Sequence, residues 1–144
     1  MKRIFLFLCC AAALSWSGCT KDDDDKTVDL TQLVGTWELT KDYDGEYNDW
    51  DEEWGAEFGY ILTIEFRADG TAKTHYEETD YSSDREYTYT IESKMLTMTD
   101  PEDPDYPEII RIEKLTSSEL VLAYDYEGED GKTYTDKEYY KRVN

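Results

Sequence analysis

The sequence predicts an all-β domain: an eight-stranded antiparallel up-and-down meander, closed into a barrel or strongly curled sheet. Three observations predict it. Short runs alternate apolar and polar residues, the period-2 signature of half-buried strands. Turn-forming groups such as Ala68-Asp69-Gly70, Ser117-Ser118 and Glu129-Asp130-Gly131 separate the runs at short intervals. No amphipathic stretch is long enough for a three-turn helix, and even spacing with short turns is the mark of a meander.

The chain opens on a targeting segment. Lys2 and Arg3 precede an apolar stretch from Ile4 to Leu14, which is 11 residues long. A membrane-spanning helix needs roughly 20, so this stretch reads as the core of a signal peptide covering residues 1–18. Ser17-Gly18-Cys19 follows. The segment resembles the lipobox of bacterial lipoproteins, with Trp16 departing from the usual aliphatic residue three places before the cysteine. That resemblance implies cleavage before Cys19 and a lipid on its thiol, so that the membrane is the first expected partner. Residues 19–29 then form an acidic tether. Lys21 followed by Asp22 to Asp25 is similar to the export tag of some Gram-negative lipoproteins, which implies an outer-membrane, surface-exposed location. As a run of like charges it also reads simply as a solvated linker.

Residues 30–144 form the domain. Val28 to Val34 carry apolar residues at Leu30, Leu33 and Val34, consistent with one helical turn. The eight strands are expected near 36–41, 60–67, 71–79, 86–92, 94–99, 108–115, 119–126 and 133–142. In the second, Tyr60, Leu62, Ile64 and Phe66 share a face; in the seventh, Leu120, Leu122, Tyr124 and Tyr126 do. Pro101, Pro104 and Pro107 hold residues 100–107 in a loop.

Charge narrows the partners. The formal charge is −20, and removing residues 1–18 takes away Lys2 and Arg3 but no acidic residue, leaving −22. Such a field repels nucleic acid, whose binding depends on Lys and Arg neutralising phosphates. It disfavours anionic headgroups for the same reason. Cys9 and Cys10 leave with the signal peptide and Cys19 carries lipid, so the folded part has neither disulfide nor thiol nucleophile. Thirteen tyrosines and four tryptophans stand where aliphatic residues are more usual. A buried tyrosine needs a partner for its hydroxyl. A barrel with tyrosines inside is therefore partly polar or lined for a ligand, unless the hydroxyls simply reach solvent.

A family resemblance gathers these features. Leu33-Val34-Gly35-Thr36-Trp37-Glu38-Leu39 resembles the Gly-x-Trp opening of lipocalins. Ile64 to Thr71, Leu115 to Leu122 and the closing Tyr139-Tyr140-Lys141-Arg142 follow in an order similar to the small lipocalin-like lipoprotein domains of Gram-negative bacteria. The resemblance covers about residues 30–144. It implies a barrel whose floor is closed by Trp37, with Arg142 packed across the ring as a cation–π pair. These bacterial domains are shorter than true lipocalins and lack their later segments and C-terminal helix, which leaves the depth of any ligand cup open.

Residues 42–59, read as the loop between the first two strands, are long for a hairpin connection. Trp50, Trp54 and Phe58 are spaced by four and could share one face. They would either plug the barrel mouth or present flat rings to a small apolar ligand or a glycan. Asp42, Asp44 and Glu46 alternate as in a calcium loop, but Tyr47 stands where such a loop requires glycine. His75, the only histidine, is expected on the outer face beside Lys73 and Glu77. No metal site, cofactor or catalytic constellation emerges, and the chain is not expected to be an enzyme. Two functions follow: a surface-tethered binding module, or a structural or protein-interaction lipoprotein with a filled barrel. An open cavity of about 300 Å³ or more under residues 42–59 would favour the first.

Overall fold

The computed structural model describes residues 29–143. The segment read as a signal peptide, Cys19 and the acidic run lie outside them. One helical turn, α1 (Leu30–Leu33), precedes nine strands: β1 (Gly35–Asp44), β2 (Asp49–Asp51), β3 (Tyr60–Phe66), β4 (Thr71–Glu78), β5 (Tyr81–Glu92), β6 (Met95–Thr99), β7 (Glu108–Leu115), β8 (Glu119–Glu127) and β9 (Thr133–Arg142). All pairings are antiparallel between sequence neighbours, save that β1 bonds β2, β3 and β9. The β1–β9 pairing closes the sheet, giving an eight-stranded barrel with β2 added.

Two elements differ from expectation. The segment 42–59 is not one long loop: β1 runs on to Asp44 and turns back into β2, pairing Asp42 with Asp51 and Asp44 with Asp49. Asn48 makes that turn in the left-handed region, at φ 53°, which asparagine tolerates better than most residues. Strand β5 begins at Tyr81 rather than near 86, because Tyr81-Ser-Ser-Asp-Arg85 pairs fully with β4 despite its turn-like composition.

The closed end is apolar and filled. Leu33, Trp37, Phe66, Leu96, Leu120 and Leu122 are fully enclosed there, with Ile110 and Tyr140 just above. Trp37 Nε1 donates to the Leu33 carbonyl at 2.8 Å, tying α1 to the floor. The Arg142 guanidinium lies 4.2 Å from the centre of the Trp37 ring. It also donates to the carbonyls of Val34 at 2.9 Å, Ser117 at 2.7 Å and Gln32. Gly35 leaves room for this arrangement, since a Cβ there would run into the guanidinium.

One irregularity decides what the other end contains. On β1, Leu39 faces Tyr140 of β9 but Lys41 faces Tyr139, so Thr40 is an extra residue. A β-bulge of this kind exchanges the two faces of the strand beyond it. The Thr40 hydroxyl secures it by donating to the Tyr139 carbonyl at 2.8 Å. Below the bulge Trp37 and Leu39 point inward. Above it Lys41 and Tyr43 turn outward, and Asp42 and Asp44 enter the barrel.

Candidate functional site

Above the layer of Leu122 and Tyr140 the interior changes from apolar to acidic. A cavity of about 670 Å³ occupies this open end. Its walls carry six carboxylates: Asp42 and Asp44 from β1, Asp49 and Asp51 from β2, and Asp136 and Glu138 from β9. Tyr124 of β8 lines it deeper in, and Tyr43, Tyr47 and Trp50 border it at the rim. Gly45 lets the β1–β2 turn lie against β9, because a Cβ there would meet the Thr135 carbonyl.

Glu138 stands at the foot of the cavity. Its Oε2 accepts hydrogen bonds from Tyr124 Oη at 2.5 Å and Tyr140 Oη at 2.7 Å. It is deeply enclosed by protein and keeps an intermediate exposure because the cavity it borders is open to water. Burial raises its pKa above the ordinary carboxylate range, outweighing the two hydroxyls that lower it. Asp42, its cross-strand partner, is raised as well, by burial first and then by the charge of Asp51. The Trp54 indole lies close enough to pull the Asp42 pKa partly back. The contact falls outside hydrogen-bond geometry, and Trp54 Nε1 is buried with no partner among the described residues.

These shifts carry a sign. A carboxyl whose folded pKa lies above its unfolded value binds more protons folded than unfolded, so stability falls as pH rises through that interval. Asp84 and Asp125 act oppositely. Asp84 is held low by hydrogen bonds from Lys73 and His75, and Asp125 by those from Arg111 and Thr135. Their contribution is lost only as pH falls toward and below 3.8. The melting temperature is therefore expected to rise on acidification from pH 7, then fall once this lower range is reached. Glu138→Gln keeps an acceptor for both tyrosines and removes the enclosed charge. It should raise the melting temperature at pH 7 by several degrees and flatten that rise. Lower stability of the variant at pH 7 would contradict this account of Glu138.

Trp50, Trp54 and Phe58 do not share one face. Strand and turn geometry separates what a spacing of four would unite on a helix. Trp50, half-exposed on β2, has its ring centre 4.9 Å from that of Tyr43 and 5.4 Å from that of Tyr139, with Lys41 Nζ 4.4 Å from its own. Trp54 turns toward the core and meets Tyr60 edge-on at 6.5 Å. Phe58 is exposed in the turn that Gly55 closes by bonding Tyr60. His75 is on the outer wall, 2.7 Å from Asp84, which raises its pKa.

No group of three or more His, Cys, Asp or Glu side chains is arranged to hold a metal ion among the described residues. Sodium chloride and calcium chloride at matched ionic strength are accordingly expected to stabilise the domain equally, by screening its self-repulsion. A melting-temperature gain confined to millimolar calcium would reveal a site that the geometry does not contain.

The family profile described as a lipocalin-like domain matches residues 33–122. The chain belongs to the lipocalin-like domain family. Its barrel is similar to the crystal structure of a lipocalin-like protein from Bacteroides uniformis ATCC 8492, at 15% identity and a TM-score of 0.56, covering 78% of this chain and 99% of that one. It is also similar to a protein from Bacteroides eggerthii DSM 20697, at 11% identity and a TM-score of 0.51, covering 76% and 98%. At such identities the likeness shows the fold. No curated protein sequence matches the chain.

Sequence reasoning placed Tyr124 on the face of Leu120 and Leu122 without assigning it to a site, and it named neither Glu138 nor Asp136. A signal for them was present. Arg142 and Tyr140 alternate on one face of the last strand, and Glu138 and Asp136 continue that alternation.

Proposed function

We propose that this chain is a lipid-anchored envelope lipoprotein, non-enzymatic, whose barrel mouth binds a small ligand at the cell surface. The single observation that carries the binding reading is the 670 Å³ cavity, which β2 and the β1–β2 turn wall on one side. It is well above the volume a small ligand needs. Polar groups converge on it from four strands, and aromatic rings border it. The filled lower barrel makes the site shallow, which suits an amphipathic or glycan ligand better than a long aliphatic one. Among the described residues, one hydroxyl–carboxylate contact joins two that line the cavity, Tyr124 with Glu138. It is shared with the buried Tyr140 and fixes the carboxylate in place, and lipocalin-like folds typically hold ligands.

The direction of the chain supports a tether. It enters the domain through α1 at the closed end, where Leu33 and Trp37 meet. A lipid on Cys19 would lie on that side, on a leash of residues 19–28 spanning at most about 35 Å. The mouth would then face away from the membrane, open to the medium.

Trp50 borders the cavity and provides the readout. Titrating soluble glycans and small amphipathic molecules into the protein is expected to change its tryptophan emission, and Trp50→Phe should remove most of that change. Emission that stays constant across such a panel would count against a mouth ligand. It would favour the structural lipoprotein, a reading to which the filled lower barrel also lends weight.

A further inference from the structure

We propose that the mouth cavity takes a protonated organic amine, with its ammonium between Asp42 and Glu138 and its body against Tyr124. This rests on the binding reading above and names the ligand class.

The first support is that the cavity gathers carboxylates without a cation of its own. On the outer wall basic side chains are taken up by carboxylates there: Arg67 by Glu65 and Glu86, Lys73 by Asp84, Arg111 by Asp125, Lys141 by Glu38. None of the six cavity carboxylates takes part in a salt bridge among the described residues. The one basic residue lining the cavity, Lys137, points outward and bonds Glu113 on β7 at 2.9 Å. A bulge, rather than chance, sets this up, since without Thr40 the Lys41 side chain would face the interior in place of Asp42.

The second support is Glu138 itself. An enclosed carboxylate with no cation is costly, and glutamine would satisfy Tyr124 and Tyr140 equally well. Both tyrosines bond Oε2, which leaves Oε1 with no hydrogen-bond partner among the described residues. Two hydroxyls thus fix the carboxylate while its other oxygen borders the cavity. An ammonium brings three donors, enough for Oε1 and the Asp42 carboxylate together. Aromatic faces nearby add cation–π attraction. A bare metal ion fits worse, because the carboxylates are not grouped as ligands. A neutral sugar would leave the charge unmatched.

The test is calorimetric titration of the full mature chain with tryptamine, and with tryptophol, which replaces its ammonium by a hydroxyl. Tryptamine is expected to bind saturably and about tenfold or more tighter than tryptophol, the worth of one charge-assisted hydrogen bond. Asp42→Asn combined with Glu138→Gln should remove that advantage while leaving a cooperative melt, and Glu65→Gln on the outer wall should not. Equal binding of the two probes would overturn the amine assignment and leave a mouth ligand standing. Equal loss from Glu65→Gln would reduce the effect to general charge and overturn it too. No binding of either probe would overturn it as well, while binding of a neutral glycan in the fluorescence panel would show the wider reading intact.

Discussion

Replacing Trp37 with alanine is expected to destabilise the domain by about 3–5 kcal/mol, the range for deleting a fully buried large aromatic. Trp37 is completely enclosed, and three things depend on its ring. It fills the barrel floor beside Leu33, its Nε1 holds α1 through the Leu33 carbonyl, and its face supports the Arg142 guanidinium. Without the ring, Arg142 would sit over a void while still bonded to the carbonyls of Val34 and Ser117. Urea denaturation should show a lower midpoint with little change in slope, since the barrel still folds as one unit. A melting curve within a degree or two of the wild type would mean that Trp37 is not the floor of the barrel.

The second large effect concerns location. If Cys19 carries the lipid, Cys19→Ser should move the protein almost wholly from the outer-membrane fraction to a soluble one. One acyl-anchored cysteine is the only membrane attachment in this account, since the domain's negative charge disfavours anionic headgroups. Replacing Asp22 to Asp25 with alanine should keep the anchor but remove the domain from the surface, as read by external protease. Membrane retention of Cys19→Ser would sink the lipoprotein reading and leave the barrel chemistry untouched.

The barrel was legible in the sequence because its signal is periodic and local. Leu120, Leu122, Tyr124 and Tyr126 alternate along β8 as they do in the text of the chain, and Trp37 and Arg142 mark the first and last strands of the barrel. The mouth was much less legible, and one residue explains most of the gap. Thr40 looks like any strand residue, yet as a bulge it reverses the inside and outside of everything after it on β1. Plain alternation from Trp37 and Leu39 would have pointed Lys41 and Tyr43 inward. Residues 49–51 escaped notice as a strand for another reason. Asp-Trp-Asp has weak strand character, and only pairing with the extended β1 holds it. The spacing of Trp50, Trp54 and Phe58 misled because a period of four has meaning on a helix and none across a strand and a turn.

The central claim is that the acidic, tyrosine-lined mouth is where this protein meets a ligand. Amide chemical-shift mapping tests it most directly, by titrating isotope-labelled protein with tryptamine and with a soluble glycan. The account predicts shifts clustered at Asp42 to Asp51, Tyr124 and Asp136 to Glu138, with the floor around Trp37 and Leu120 silent. Shifts spread over the outer wall, or gathered at the closed end, would contradict it.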